Sequence, residues 1–180
     1  MKIQIDQKEF ERFIEYEQIK KRIRLIGIEI NVAYEGRKPL FLAVLNGSFM
    51  FLGDLMKQIE VASEVSFIKL KSYNGTSRDE QIREMIGLDV SLRGREVIIV
   101  EDIIDSGNSL NHTLNLVKAQ QPASVAVCTL LLKPDAVQHR FNNLAYIGFE
   151  IKNEFVVGYG LDYNGLGRNF RDIYKESSSQ

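Results

Sequence analysis

The sequence predicts an α/β fold with a central, mostly parallel β-sheet flanked by helices, and three observations predict it. Apolar runs of strand length at 39–45, 65–73, 97–100 and 125–132 alternate with stretches of helical periodicity. Such alternation implies a largely parallel sheet covered on both faces. The run at 97–100 ends in two acids and then a small, Gly-containing turn, at the strand end where open α/β sheets place their ligands.

Taken in order, the first element is expected to be a long amphipathic helix, because Phe10, Phe13, Ile14, Ile19, Ile23, Ile26, Ile30 and Ala33 recur at roughly helical spacing. Gly27 is where it could break, and the Lys20-Lys21-Arg22 run reads as a solvated face. A buried strand at 39–45, the turn Asn46-Gly47-Ser48 and a helix over 49–59 follow. The strand at 65–73 leads into 74–81, polar and without an apolar anchor, which reads as a mobile loop. After 97–100 come a helix over 109–119, the breaker Gln121-Pro122 and a strand at 125–132. Aromatic-rich short strands near 146–149 and 155–157 are expected to form a separate flap.

The 180 residues suit one domain, read as 1–175 with a disordered tail at 176–180. With 23 basic and 24 acidic residues the net charge is -1, which gives no bulk attraction to nucleic acid or to an anionic membrane. Cys128, the only cysteine, lies inside an apolar run and reads as a core residue of a reducing compartment. No signal-peptide-like or membrane-spanning stretch is present, so a cytoplasmic protein is expected.

The chemistry concentrates in VIIVEDIIDSGNSL, residues 97–110. Glu101 and Asp102 end an apolar strand, where acids are costly unless something binds them. Consecutive strand residues point to opposite faces, so one pocket can use both only where the backbone bends. The turn Asp105-Ser106-Gly107-Asn108-Ser109 supplies amides and hydroxyls at a helix start, a geometry suited to phosphate. A ligand with a phosphate on one side and hydroxyls or a hydrated cation on the other is a ribose phosphate.

This segment resembles the phosphoribosyl-diphosphate signature of type I phosphoribosyltransferases, and its EDIID spelling resembles the hypoxanthine-guanine branch. LNGSF from Leu45, KSY from Lys71, LLLK ending at Lys133 and FVVGYGLDYNGLGR at 155–168 are similar to that branch in the same order. The resemblance implies the type I phosphoribosyltransferase fold with a small base-binding hood, and purine salvage through transfer of a phosphoribosyl group to a 6-oxopurine.

By that resemblance, Glu101 and Asp102 hold the ribose hydroxyls, directly or through water on a magnesium ion. Asp105 sits beside purine N7 as general base or acid, although as a helix-start acid it could simply cap amides. Ser106, Gly107, Asn108 and Ser109 wrap the 5′-phosphate. Leu45, Asn46 and Gly47 form a diphosphate loop whose first peptide is often cis in this family; a plain capping turn is the alternative for Asn46-Gly47-Ser48. Asn46 stands where a lysine is frequent, which removes a cation but leaves backbone donors. Arg168 contacts the diphosphate, and Ser72 and Tyr73 belong to a lid.

Lys133, otherwise a solvated strand terminus, donates to purine O6, while Phe155 stacks on the base and the Val156 backbone reads its edge. Asp162 holds a second magnesium. The expected partners are a purine base, 5-phosphoribosyl 1-diphosphate, Mg2+ and further copies of the chain as a homodimer or homotetramer, with neither nucleic acid nor membrane. A phosphoribosyltransferase for xanthine or another base, or a regulatory RNA-binding protein on the same fold, are the rival readings. His112 and His139 lack partners at zinc-ligand spacing, and no Walker or dinucleotide glycine pattern occurs.

Overall fold

The computed structural model describes the backbone of residues 1–73 and 81–177, and the side chains of these except 71–85. From the N terminus run β1 (Lys2–Ile5), β2 (Lys8–Ile14), α1 (Tyr16–Ala33), β3 (Leu40–Leu45), α2 (Phe49–Met56), β4 (Glu64–Tyr73) and β5 (Gln81–Ile86). Then follow β6 (Glu96–Ile104), α3 (Asn108–Ala119), β7 (Ser124–Leu132), β8 (Leu144–Glu150), β9 (Val156–Val157) and β10 (Ile173–Glu176).

Among the described residues the main sheet has the order β5-β4-β3-β6-β7-β8. Its strands β4, β3, β6, β7 and β8 are parallel, and β5 is an antiparallel edge. Alternating side chains give each face its own core. Phe41, Ala43, Ile98, Val100 and Leu130 pack under Ile19, Ile23, Ile26 and Ile30 of α1 and Phe51 and Leu55 of α2. Leu40, Leu42, Val44, Val97 and Ile99 pack under Leu110, Leu114 and Val117 of α3 on the other face. The expected parallel sheet with helices on both faces is therefore what the chain forms.

A second sheet, β1-β2-β10-β9, carries a small core of Ile5, Phe10, Val157 and Tyr174. Its presence corrects the first expected element. Phe10, Phe13 and Ile14 lie in β2, paired with β1 and β10, and α1 starts only at Tyr16. A four-residue gap between Phe10 and Ile14 fits a helical turn and two strand repeats equally well, so the spacing could not separate them. Gly27 does not break α1 either; it is buried where a Cβ would press on Gln58, so it lets the two helical segments approach closely.

Three further expectations change. The strand near 146–149 is β8, and it pairs with β7 in the main sheet instead of joining a flap. Gln81, placed in the polar loop, opens β5, an edge strand whose polar sequence suits its position; the rest of that loop, 74–80, lies outside the described residues. Glu176 is not part of a loose tail but pairs with Phe10 at the end of β10.

Candidate active site

The acids of 97–110 are not at the end of their strand, because β6 continues to Ile104. The side-chain pattern nevertheless changes at the acids. Ile103 joins the core face of Ile98 and Val100, whereas Ile104 joins that of Val97 and Ile99, so the side-chain alternation slips by one residue at Glu101 and Asp102. The ladder to β7 pairs Glu101 with Thr129 and Ile103 with Leu131 around this slip.

The two carboxylates differ in surroundings. Glu101 is 4% exposed, and its Oε1 has no hydrogen-bond partner among the described residues. Burial, then the neighbouring charge of Asp102, pushes its carboxyl well above the ordinary range. Burial also pushes Asp102 up to about 6, against the opposing help of the Ile103 amide, its own amide and the Arg168 charge, with Asp162 raising it further. The Ile103 N–H donates to Asp102 Oδ1 at 2.9 Å. Two adjacent carboxylates, one with an unpartnered buried oxygen, suit ribose hydroxyls or a hard, hydrated cation.

Asp102 lines a cleft of about 230 Å³ together with Ile103, Asp105, Lys133, Phe155, Val156, Leu161 and Asp162. All five residues expected at a base or catalytic position, Asp105, Lys133, Phe155, Val156 and Asp162, thus meet in one place beside Asp102, and Glu101 does not line that cleft. Lys133 is almost fully buried, and its ammonium donates to Asp105 Oδ2 at 2.6 Å and faces Asn153 Oδ1 at 3.5 Å. It is therefore not a solvated terminus. Asp105 makes no helix cap: the N-cap of α3 is Gly107, in the left-handed region at φ +84 and without a side-chain cap bond. The Asn108 amide at the start of α3 donates to Ser106 Oγ at 3.4 Å, and His139 Nε2 lies 2.7 Å from Asn108 Oδ1.

Phe155 is exposed at the cleft, held edge-on by Tyr163 with ring centroids 5.8 Å apart and tilted against Phe10 at 6.2 Å. Lys8 places its ammonium 5.3 Å from the Phe155 ring centre. Val156 lies beside it in β9, with its side chain buried.

On the other side of Asp102 lies the turn after β3. The Leu45–Asn46 peptide is cis, as the resemblance implied. Ser48 does not cap α2; its hydroxyl donates back to the Val44 carbonyl at 2.6 Å. Gly47 is pressed so closely on Asp102 that a Cβ would overlap the carboxylate, and Gly160 is pressed in the same way on the Gly47 carbonyl. Arg168 bridges this region: its guanidinium pairs with Asp162 Oδ1 at 2.5 Å and donates to the Gly160 carbonyl at 2.7 Å. Asp162 Oδ2 accepts from the Gly165 amide at 2.8 Å, so both its oxygens are engaged within its own loop. Ser72 and Tyr73 end β4, paired in backbone register with Ile82 and Gln81 of β5.

Among the described residues no three His, Cys, Asp or Glu side chains converge on a point that could hold a metal. Sequence reading missed Ile103 and Leu161, whose apolar character carries no site signal, and Lys8 and Asn153, which reach the site only through the fold. Among the described residues no helix is long and apolar enough to cross a membrane.

With this geometry in hand, the comparisons with known proteins are specific. The family model described as "Phosphoribosyl transferase domain" matches residues 14–164. The chain is 42% identical over 149 residues to the hypoxanthine phosphoribosyltransferase of Escherichia coli K12, covering 81% of this chain and 83% of that protein. It is also 42% identical over 157 residues to the bifunctional protein TilS/HprT of Listeria innocua, covering 87% of this chain but only 24% of that longer protein. The chain thus spans about a quarter of the length of this bifunctional relative. A crystal structure of a hypoxanthine-guanine phosphoribosyltransferase from Bacillus anthracis superposes with a TM-score of 0.86 at 33% identity, covering 92% of this chain and 97% of that one.

Proposed function

The chain belongs to the phosphoribosyltransferase family, and from that premise we propose that it makes purine nucleoside 5′-monophosphates by salvage, transferring the phosphoribosyl group of 5-phosphoribosyl 1-diphosphate to N9 of hypoxanthine or guanine. The observation that carries this reading is the placement of Asp102 between a backbone loop at Gly47 and a cleft holding Lys133 and Phe155, next to Glu101, whose buried Oε1 has no hydrogen-bond partner among the described residues. The names of the Escherichia coli and Bacillus anthracis relatives support the same chemistry.

In this reading N9 of the base attacks C1 of the ribose as the C1–O bond to diphosphate breaks, giving IMP or GMP and diphosphate. Asp105 receives or lends a proton at the purine imidazole edge, and its contact with Lys133 keeps its carboxylate oriented. Lys133 donates to O6, Phe155 covers the ring, and the Val156 backbone meets the base edge. Glu101 and Asp102 accept from the ribose hydroxyls, and Ser106 to Ser109, at the N-terminus of α3, take the 5′-phosphate. Backbone donors of Leu45, Asn46 and Gly47 together with Arg168 take the diphosphate, and Ser72 and Tyr73 lead into a covering lid. Mg2+ would be held by Glu101 and Asp102, and a second ion by Asp162, and would supply charge neutralisation for the leaving diphosphate.

We also propose that the chain acts in the cytoplasm as a homodimer or homotetramer. Leu25, Ile28 and Val32 form an exposed apolar stripe on α1, and Phe49 is exposed at the start of α2, which supports self-association. The free, buried thiol of Cys128 accords with a reducing compartment.

The test of the function is nucleotide formation from hypoxanthine, guanine, xanthine and adenine at fixed 5-phosphoribosyl 1-diphosphate and Mg2+. Turnover of hypoxanthine or guanine with release of diphosphate is expected. Preference for xanthine would assign a different base, and binding of the ribose diphosphate without its release would make the chain a binding protein.

A further inference from the structure

Asp54 and Tyr159 lie outside the cleft, and neither contacts the proposed base site. Tyr159 is fully buried, yet its backbone is left-handed at φ +49, a conformation uncommon for a residue with a side chain. It stands between Gly158 and Gly160, at φ +95 and +99, so the whole turn is left-handed. Such a turn persists only if its surroundings hold it. They do so at three points. The Tyr159 hydroxyl donates to Asp54 Oδ2 at 2.7 Å, its amide donates to the Phe170 carbonyl at 2.7 Å, and its ring packs against Tyr16 with centroids 6.1 Å apart.

The two ends of this contact belong to the two loops proposed to hold diphosphate. Asp54 is in α2, the helix that starts two residues after Gly47. Tyr159 precedes Gly160, which abuts the Gly47 carbonyl and accepts from the Arg168 guanidinium at 2.7 Å. The Gly160 amide donates to the Arg168 carbonyl at 3.0 Å, closing the loop on itself. We infer that Asp54 is a positioning residue that, through the Tyr159 hydroxyl, locks the 158–168 loop to the diphosphate turn and thereby sets where Arg168 meets the diphosphate.

The electrostatics suit a permanent tie. Burial and the Asp54 carboxylate both push the Tyr159 hydroxyl far above its ordinary range, so it stays a donor. Burial pushes Asp54 up, but Lys57, Tyr159 and Tyr16 together hold it below the ordinary carboxylate range, so it stays an acceptor. Lys57 Nζ lies 2.8 Å from Asp54 Oδ1 and leaves Oδ2 to the tyrosines.

This inference rests on the transferase reading, and the experiment separates the two. Steady-state constants for both substrates are measured on the full chain as wild type, Tyr159→Phe, Asp54→Ala, the double variant and Tyr16→Phe. Tyr159→Phe deletes one oxygen and keeps the ring, so it guards against simple misfolding of Asp54→Ala. Tyr159→Phe is expected to raise KM for 5-phosphoribosyl 1-diphosphate about tenfold, the worth of one hydrogen bond to a charged group, with KM for the purine within about twofold. The double variant should be no worse than the poorer single one, because both break the same bond. Tyr16→Phe, which removes only the longer 3.4 Å contact to the same carboxylate, should leave both constants unchanged. Equal rises in both KM values, or none, in Tyr159→Phe would overturn the inference while leaving the function standing. Absence of wild-type turnover would instead defeat the functional reading.

Discussion

Gly47→Ala is expected to lower kcat/KM by about a hundredfold or more, the scale on which a displacement of about 1 Å in a reacting site is felt. The reason is steric and local. A Cβ at residue 47 would overlap the Asp102 carboxylate, and the Gly47 carbonyl is already pressed on by Gly160 from the opposite side. No rotamer relieves a clash at Cβ, so either the turn retreats or Asp102 leaves its place. Either movement separates the ribose-binding acids from the diphosphate donors. Thermal melting alongside kinetics would distinguish this from unfolding: melting should remain cooperative while activity falls. Activity within about threefold of wild type would mean that Asp102 and this turn do not act on one ligand.

Adenine should be rejected by about 10⁴-fold or more relative to hypoxanthine, the discrimination available when a site built around a hydrogen bond meets a partner that cannot make it. The ammonium of Lys133 has only donors to offer, and it is buried at the cleft. Hypoxanthine and guanine present O6, an acceptor; adenine presents an amino group, itself a donor, at that position. Lys133→Ala should accordingly cost hypoxanthine turnover far more than it costs ribose-diphosphate binding. It also removes the 2.6 Å partner of Asp105, so part of the loss should appear in kcat. Efficient use of adenine by the wild type, or full hypoxanthine activity in Lys133→Ala, would contradict the assignment.

What could be read in the sequence was the chemistry carried by contiguous residues. The 97–110 segment shows strand, acids, small turn and helix in one stretch, and β6 and α3 follow its order. Even there the strand boundary shifted, because Glu101 and Asp102 are polar yet lie inside β6, whose ladder to β7 pairs Glu101 with Thr129 and Ile103 with Leu131. Elements whose identity depends on distant partners were not legible. The phenylalanines of β2 needed β10, from the far end of the chain, to become strand residues. The polar β5 needed β4. Asp54 and Tyr159 are 105 residues apart, and neither lies in a pattern that announces the other. Gly47 reads as a turn residue in the sequence, whereas its use, like that of Gly160, is the close approach of one loop to another.

The central claim is that the buried acids of β6 bind the ribose diphosphate. Calorimetric titration of 5-phosphoribosyl 1-diphosphate with Mg2+ into wild type and into Glu101→Gln/Asp102→Asn tests it without requiring turnover. Loss of at least about tenfold in affinity, with a flattened dependence on Mg2+ and an intact fold, is expected, since an amide cannot become the carboxylate that a bound cation or ribose hydroxyl would engage. Equal affinity in the two proteins would remove Glu101 and Asp102 from the site.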